Sequence, residues 1–296
     1  MKAAVEVVRR VAHEWREDRV SGLAAEVAFF ALLSLFPALL AVTAALGSLE
    51  VVAGQDVAAR AEAGVIDFLR RVLTDEAADT VDAVEGLFRD SNPGIVTIGV
   101  VSALWAASRG FAAVVNALDV VYDLDDRRSY LVRRAVGLGL AVGTIVVVAV
   151  VLAMLVVGPL LGTGREIADD LGLGGAFATL WNWFRWPVAV SMMVAWAATV
   201  FHIAPNHQTP WRWDLPGAVL TAVAWALLSL GLRVYLTLAV GADQVLGVLG
   251  GTLIVLLWLY LLAVGLLLGG ELNAVLVARA GMHRAGAPGA DPPGGS

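Results

Sequence analysis

The sequence predicts an all-α, polytopic membrane protein, and three observations carry that reading. Of 296 residues, 59% are hydrophobic and 16% charged, with a mean hydropathy of +0.80, well outside the range of soluble domains. Six apolar segments are each long enough to cross about 30 Å of hydrocarbon, which takes roughly 20 helical residues. None has the short alternating pattern of barrel strands, so helices are the spanning elements. The expected architecture is one membrane domain, residues 1–280: a six-transmembrane-helix bundle with an N-terminal amphipathic helix and a helical extracytoplasmic loop.

Residues 2–20 (KAAVEVVRRVAHEWREDRV) place Val5, Val8, Val11, Ala12 and Trp15 at helical spacing with Arg and Glu between them. This pattern suits a helix lying on the membrane surface, or a solvated helix packed on the loops. The spans follow at residues 27–49, 95–122, 135–161, 187–204, 215–240 and 245–278, the last long enough to tilt or to emerge from the bilayer. About twenty charged, helix-compatible residues precede the first span, which does not fit a signal peptide. Ser34 and Pro37 in "LLSLFPALL" mark an expected kink in that span, or ordinary membrane-helix proline usage.

Residues 50–93 form the extracytoplasmic loop. From Ser48 to Pro93 the chain holds ten acids against four arginines, with apolar residues at helical spacing (Val65, Phe68, Leu69, Val72, Leu73). Its acidity is either a solvated face or a barrier to anions. Residues 281–296, rich in Pro and Gly, are expected to be a disordered cytoplasmic tail.

Orientation is read from the basic residues. With the N-terminus inside, twelve of the 20 fall in cytoplasmic parts and six in outer parts, which places both termini in the cytoplasm. Trp181, Trp183 and Trp186 then anchor the fourth span at the outer surface, and Trp211 and Trp213 at the inner one.

The chain has no cysteine, which excludes disulfides, thiol catalysis and Cys-ligated zinc. No cofactor, metal or nucleic-acid partner is expected; the bilayer is the one partner the composition demands. Phosphodiester chemistry needs clustered carboxylates or histidines on a wet surface, and RNA a basic patch. His202 and His207 have no acidic companion within their motif, so an enzyme is not expected.

Charges within spans cost about 2.5 to 3.5 kcal/mol each on insertion scales, so each is a candidate site. Arg109 lies fourteen residues past Ile95, about 21 Å down a helix at 1.5 Å per residue. Ser102, Arg109 and Asn116 are spaced by seven and share one face. Glu26, Asp119, Asn206, Glu271 and Asn273 all fall in the same half of the bilayer, whereas Arg233 falls near the opposite face. Arg109 is then either a structural lock paired with Glu271 or Glu26, a donor fork for an anionic group in an inward-facing cavity, or a snorkelling side chain. Gly137, Gly139 and Gly143 permit close helix packing. "NPG" at Asn92 and "LPG" at Leu215, each followed by a Trp and an Arg, are compatible with an inverted repeat of three helices.

Four stretches, "LAAEVAFFALLSLFPALL", "ALWAASRGFAAVVNALDVVYD", "HIAPNHQTPWRWDLPGAVLTAVAW" and "LLGGELNAVL", resemble in order and spacing the signature blocks of the YihY/BrkB family. The matching positions are Ser34, Pro37, Trp105, Ser108, Arg109, Gly110, Pro205, Asn206, Pro216, Gly217, Glu271 and Asn273; Glu26, Phe29 and Phe30 depart from the pattern. The resemblance implies six spans in a bacterial cytoplasmic membrane. Family labels include virulence factor, after a serum-resistance connection, exporter of lipid A precursors, and ribonuclease BN. The expected function is a transporter, exporter or flippase-like permease for an anionic or amphiphilic substrate, a lipid precursor among the candidates, built around Arg109. The alternative is a non-transporting envelope scaffold. Substrate, coupling ion and oligomeric state are not fixed by the sequence.

Overall fold

The computed structural model describes residues 2–34, 93–124, 128–152, 174–206, 209–238 and 243–280. The expected loop 50–93, Pro37, the tail 281–296, and the far ends of the first and third spans lie outside the described residues. Those described are all helical, with no strand among them.

The helices are α1 (Lys2–Glu17), α2 (Val20–Ser34), α3 (Pro93–Val121), α4 (Tyr130–Leu152), α5 (Gly174–Ile203), α6 (Leu215–Leu238) and α7 (Asp243–Arg279); a short 3-10 turn, Trp211–Trp213, precedes α6. Four stretches among them are long and apolar enough to cross a membrane: Tyr130–Val148, Trp183–Ile203, Trp211–Leu236 and Gly251–Arg279. In none of these is more than 28% of the most apolar window buried inside the protein, so their hydrophobic surface points outward, as a lipid solvent requires. Leu227, Leu230, Val234 and Tyr235 on α6 and Val146 and Val150 on α4 are examples.

Three boundaries differ from the sequence expectation; α4 begins at Tyr130, five residues before the third span was expected to start. The surface helix ends at Glu17, not at residue 20, because Asp18 and Arg19 form a tight corner with Arg19 at φ 51°. Helix α5 begins at Gly174 and carries Pro187 in its interior, where the fourth span was expected to start. Proline in a membrane helix is tolerated when the freed carbonyl finds another partner.

Helices α3 to α7 pack in chain order, each on the next, and α7 returns onto α3 to close a ring of five. Helix α1 lies along α7, and α2 meets α3 at Gly110, where an added Cβ would stand 3.7 Å from the Phe30 carbonyl oxygen. The packed core sits where α3, α5 and α7 converge, with Leu118, Phe201 and Leu267 fully buried. An apolar cavity of about 570 Å³ lies between α1, α6 and α7, lined by Val11, Trp15, Leu220, Leu268 and Leu272.

Candidate functional site

Polar residues gather at one end of the ring, where α3 and α5 finish, α6 starts and the α1–α2 corner docks. Asn273 on α7 is fully buried and bridges to α6: its Oδ1 accepts the Gly217 N–H at 2.7 Å and its Nδ2 donates to the Asp214 carbonyl at 3.1 Å. The first turn of a helix has N–H groups with no partner in the helix, and Asn273 supplies one. This contact demands proximity, since a Cβ on Gly217 would overlap both the Gly269 carbonyl and the Asn273 amide. Asp214, wholly buried, approaches His202 Nδ1 at 3.1 Å through its Oδ2 and so ties the end of α5 to the start of α6. His202 therefore has the acidic companion that its own motif lacks, contributed by "WRWD" twelve residues on.

The end of α5 is held from two sides. Arg128 donates to the Ile203 and Ala204 carbonyls at 3.0 to 3.3 Å, a cation on the unpaired carbonyls of a helix C-terminus. Asp119 on α3, 5% exposed, accepts the Asn206 N–H at 3.4 Å. Helix α3 itself stops in a Schellman arrangement: Asp123 takes φ 51°, its N–H reaches the Val120 carbonyl, and Leu124 N–H reaches Asp119 at 2.9 Å.

Glu271, two residues before Asn273 on α7, is fully buried, and among the described residues no group other than the Asp18 carboxyl is placed to hydrogen-bond its side-chain oxygens. The Asp18 carboxyl faces it from the α1–α2 corner. Burial, then the negative charges of Asp123, Glu14 and Glu17, push the Asp18 carboxyl up to about 6, and a hydrogen bond with Glu271 offsets only part of the rise.

A second polar group occupies a different face. Arg109 and Asn116 on α3 are both exposed, as is Trp105 at 58%. At 100° per residue, positions 105, 109 and 116 lie within about 40° of one another. Two arginines from α4 join them. The Arg134 guanidinium sits 4.0 Å over the Trp105 ring, and Arg133 Nη1 donates to Asn116 Oδ1 at 3.1 Å. Gly137 makes this possible by bringing α4 so near α3 that an added Cβ would lie 3.2 Å from the Ser108 carbonyl oxygen. Among the described residues, none pairs with Arg109.

The eight polar residues singled out from sequence therefore divide. Asp119, Glu271 and Asn273 are buried together, and Asn206 joins them through its backbone. Arg109 and Asn116 stand on the exposed α3 face, Glu26 is exposed on α2, and the Ser102 side chain lies outside the described ones. An Arg109–Glu271 lock is not formed. The cause is helical phase: ten residues turn Asp119 about 80° from Arg109, so only the former reaches the core. Sequence reading missed Asp18, Asp214, Arg133 and Arg134. Asp214 carried a usable signal, an acid just before a helix opening with proline; the α4 arginines were absorbed into the charge bias of a loop.

Residues 11–292 match the family described as virulence factor BrkB. A Bacillus subtilis (strain 168) protein named as ribonuclease-like, YfkH, is 29% identical over 86% of this chain and 89% of its own length. Two Stenotrophomonas maltophilia proteins named UPF0761 membrane protein, from strains R551-3 and K279a, are 26% identical over 93% of this chain. The chain spans 62% of the length of those two relatives. No solved structure matches it significantly.

Proposed function

The chain is a membrane protein of the virulence factor BrkB family, and from that premise we propose a transporter or flippase-like permease that takes the anionic headgroup of an amphiphile onto the Arg109 face. The permease has six spans in the bacterial cytoplasmic membrane, with both termini in the cytoplasm. It is not an enzyme.

One observation carries the reading: Trp105, Arg109 and Asn116 on the exposed face of α3 stand with the half-buried Arg133 and Arg134 of the neighbouring α4. Guanidinium groups offer forked donors that match phosphate and carboxylate geometry. Two of the three are already oriented, Arg134 by the indole and Arg133 by the amide, which lowers the entropy lost on binding. The third, Arg109, lies sixteen residues along α3 from Pro93, about 24 Å, with apolar residues on either side. A charge at that depth is retained where it has a wet or anionic partner. An anionic lipid headgroup with its acyl chains along the apolar helices supplies both requirements at once.

Reconstitution into proteoliposomes tests the proposal. Anionic amphiphiles should cross between leaflets faster with the protein than without it, and Arg109→Ala should abolish the acceleration while expression stays normal. A scaffold would give no acceleration with either protein.

A further inference from the structure

The buried end of the ring holds a chemistry the permease reading does not use. Glu271 is 0% exposed, no hydroxyl, amide or cation among the described residues bonds its oxygens, and the group it faces is another carboxyl, Asp18. A buried carboxylate is stable only when paired and hydrogen-bonded. The charges around the pair are also acids: Glu14 from α1 and Asp123 from the end of α3 act on both carboxyls and Glu17 on Asp18, Tyr122 adds a phenol beside Glu271, and Asp119 and Asp214 are buried in the adjoining network. The nearby cations are committed elsewhere. Arg279 pairs with Glu6 at 3.1 Å, Arg128 bonds the α5 carbonyls, and His202 bonds Asp214. Arg16 and Arg19, adjacent in sequence to these acids, are exposed. Among the described residues, no group of three or more His, Asp or Glu side chains has the geometry to hold a metal ion.

Two carboxyls that face each other without a cation are satisfied by a proton, since one carboxyl then donates to the other. We propose that Asp18 and Glu271 form a proton-binding site, one proton shared between them, whose occupancy holds the α1–α2 corner against the end of α7. Loss of the proton leaves two negative charges in contact beneath Glu14, Glu17 and Asp123, and the corner lifts away. Asp18 lies at the hinge of that motion, between two helices and beside Arg19 in its left-handed conformation. Val20, the first residue of α2 and fully buried, marks the surface that lifting uncovers.

The sign follows from linkage. Asp18 binds its proton more tightly when docked, up to about 6, than when released at its ordinary 3.8. The docked state therefore holds more protons across that window, and docking weakens as pH rises through it. Release of one proton changes the docking equilibrium by up to about tenfold per pH unit.

The absence of native cysteine makes the test site-specific. In the full-length protein in nanodiscs, maleimide labelling of Val20→Cys is measured relative to Ser21→Cys, an exposed neighbour that corrects for thiol ionisation. The ratio should rise severalfold, by up to about tenfold, from pH 5 to pH 8. It should stay low at both pH values when Glu271→Gln or Asp18→Asn is added. Hydrogen exchange of residues 14–24 in the cysteine-free chain and in Glu271→Gln, corrected for intrinsic pH dependence, gives the same comparison if the buried cysteine impairs folding. A pH-independent ratio and exchange, or a rise that survives Glu271→Gln, overturns the proposal. This inference stands apart from the permease reading, because corner release is measured without any substrate.

Discussion

Asn273 shows what single residues do in this protein. Its two hydrogen bonds tie backbone groups at the start of α6 to α7, and it makes them from a fully buried position. Truncation leaves the buried Gly217 N–H unpaired, at about 1–3 kcal/mol, and removes one of two donors from the Asp214 carbonyl, which still accepts the Ala218 N–H at 3.0 Å. Asn273→Ala should therefore lower stability by about 1–3 kcal/mol, read as a clear fall in the thermal midpoint in detergent; an unchanged midpoint would mean that α6 is positioned by packing alone. Asp214 differs, since its partner His202 is partly exposed. His202→Gln, which keeps a hydrogen-bonding side chain, should cost less than His202→Leu, which leaves the buried carboxylate without its imidazole; equal costs would contradict the pairing. At this scale the sequence was legible by residue type but not by partner. Glu271 and Asn273 were both identified as groups the membrane should not tolerate, yet lying two residues apart on one helix they face different neighbours. Only the three-dimensional packing assigns α6 to one and the α1–α2 corner to the other.

Among the elements, the tightest pair is α6 with α7, and small residues decide it. A Cβ on Gly269 would overlap the Thr221 hydroxyl and the Gly217 carbonyl, just as one on Gly217 would overlap Gly269 and Asn273. Membrane helices gain no hydrophobic drive from one another, so close backbone approach supplies much of their affinity. Gly269→Ala should cost at least about 1–3 kcal/mol as overpacking, and Gly217→Ala more, because it also displaces the Asn273 bridge. Gly139→Ala, where nothing lies within 4 Å, should be tolerated. Thermal midpoints of the three variants check the ranking, and a destabilised Gly139→Ala with a normal Gly269→Ala would reverse it. Apolar periodicity and length were enough to find these helices, and the "NPG" and "LPG" turns located the starts of α3 and α6 to within a few residues. The start of α5 was not legible, because Pro187 and the aromatic cluster around it read as a boundary while the helix runs through them. Equally hidden was the α1–α2 corner, where a continuous helical pattern is broken by a left-handed arginine that no sequence rule requires.

For the whole molecule, the quoted sequence blocks acquire a common meaning. "NALDVVYD", "HIAPN", "WRWDLPG" and "GGELNAV" are distant in the chain, yet the ring of α3 to α7 brings all four to one end, where they interlock through Asp119, His202, Asp214 and Asn273. The Arg109 face is separate, displaced along α3 and turned away from this end. The division fits a rigid base that carries an open site, and it explains why one helix bears both a buried aspartate and an exposed arginine. The proposed placement of the base in the cytoplasm predicts that reporters fused to either terminus are active only in their cytoplasmic form; opposite locations for the two would require an odd number of spans. Binding at the Arg109 face is the central claim, and the direct measurement is equilibrium binding of an anionic amphiphile with a phosphate monoester headgroup to the purified chain. Losing a charge-assisted hydrogen bond worth about 1.5–3 kcal/mol weakens affinity roughly 10- to 150-fold. That loss is expected for Arg109→Ala with an unchanged thermal midpoint, and equal affinity in the variant and the wild type would contradict the account.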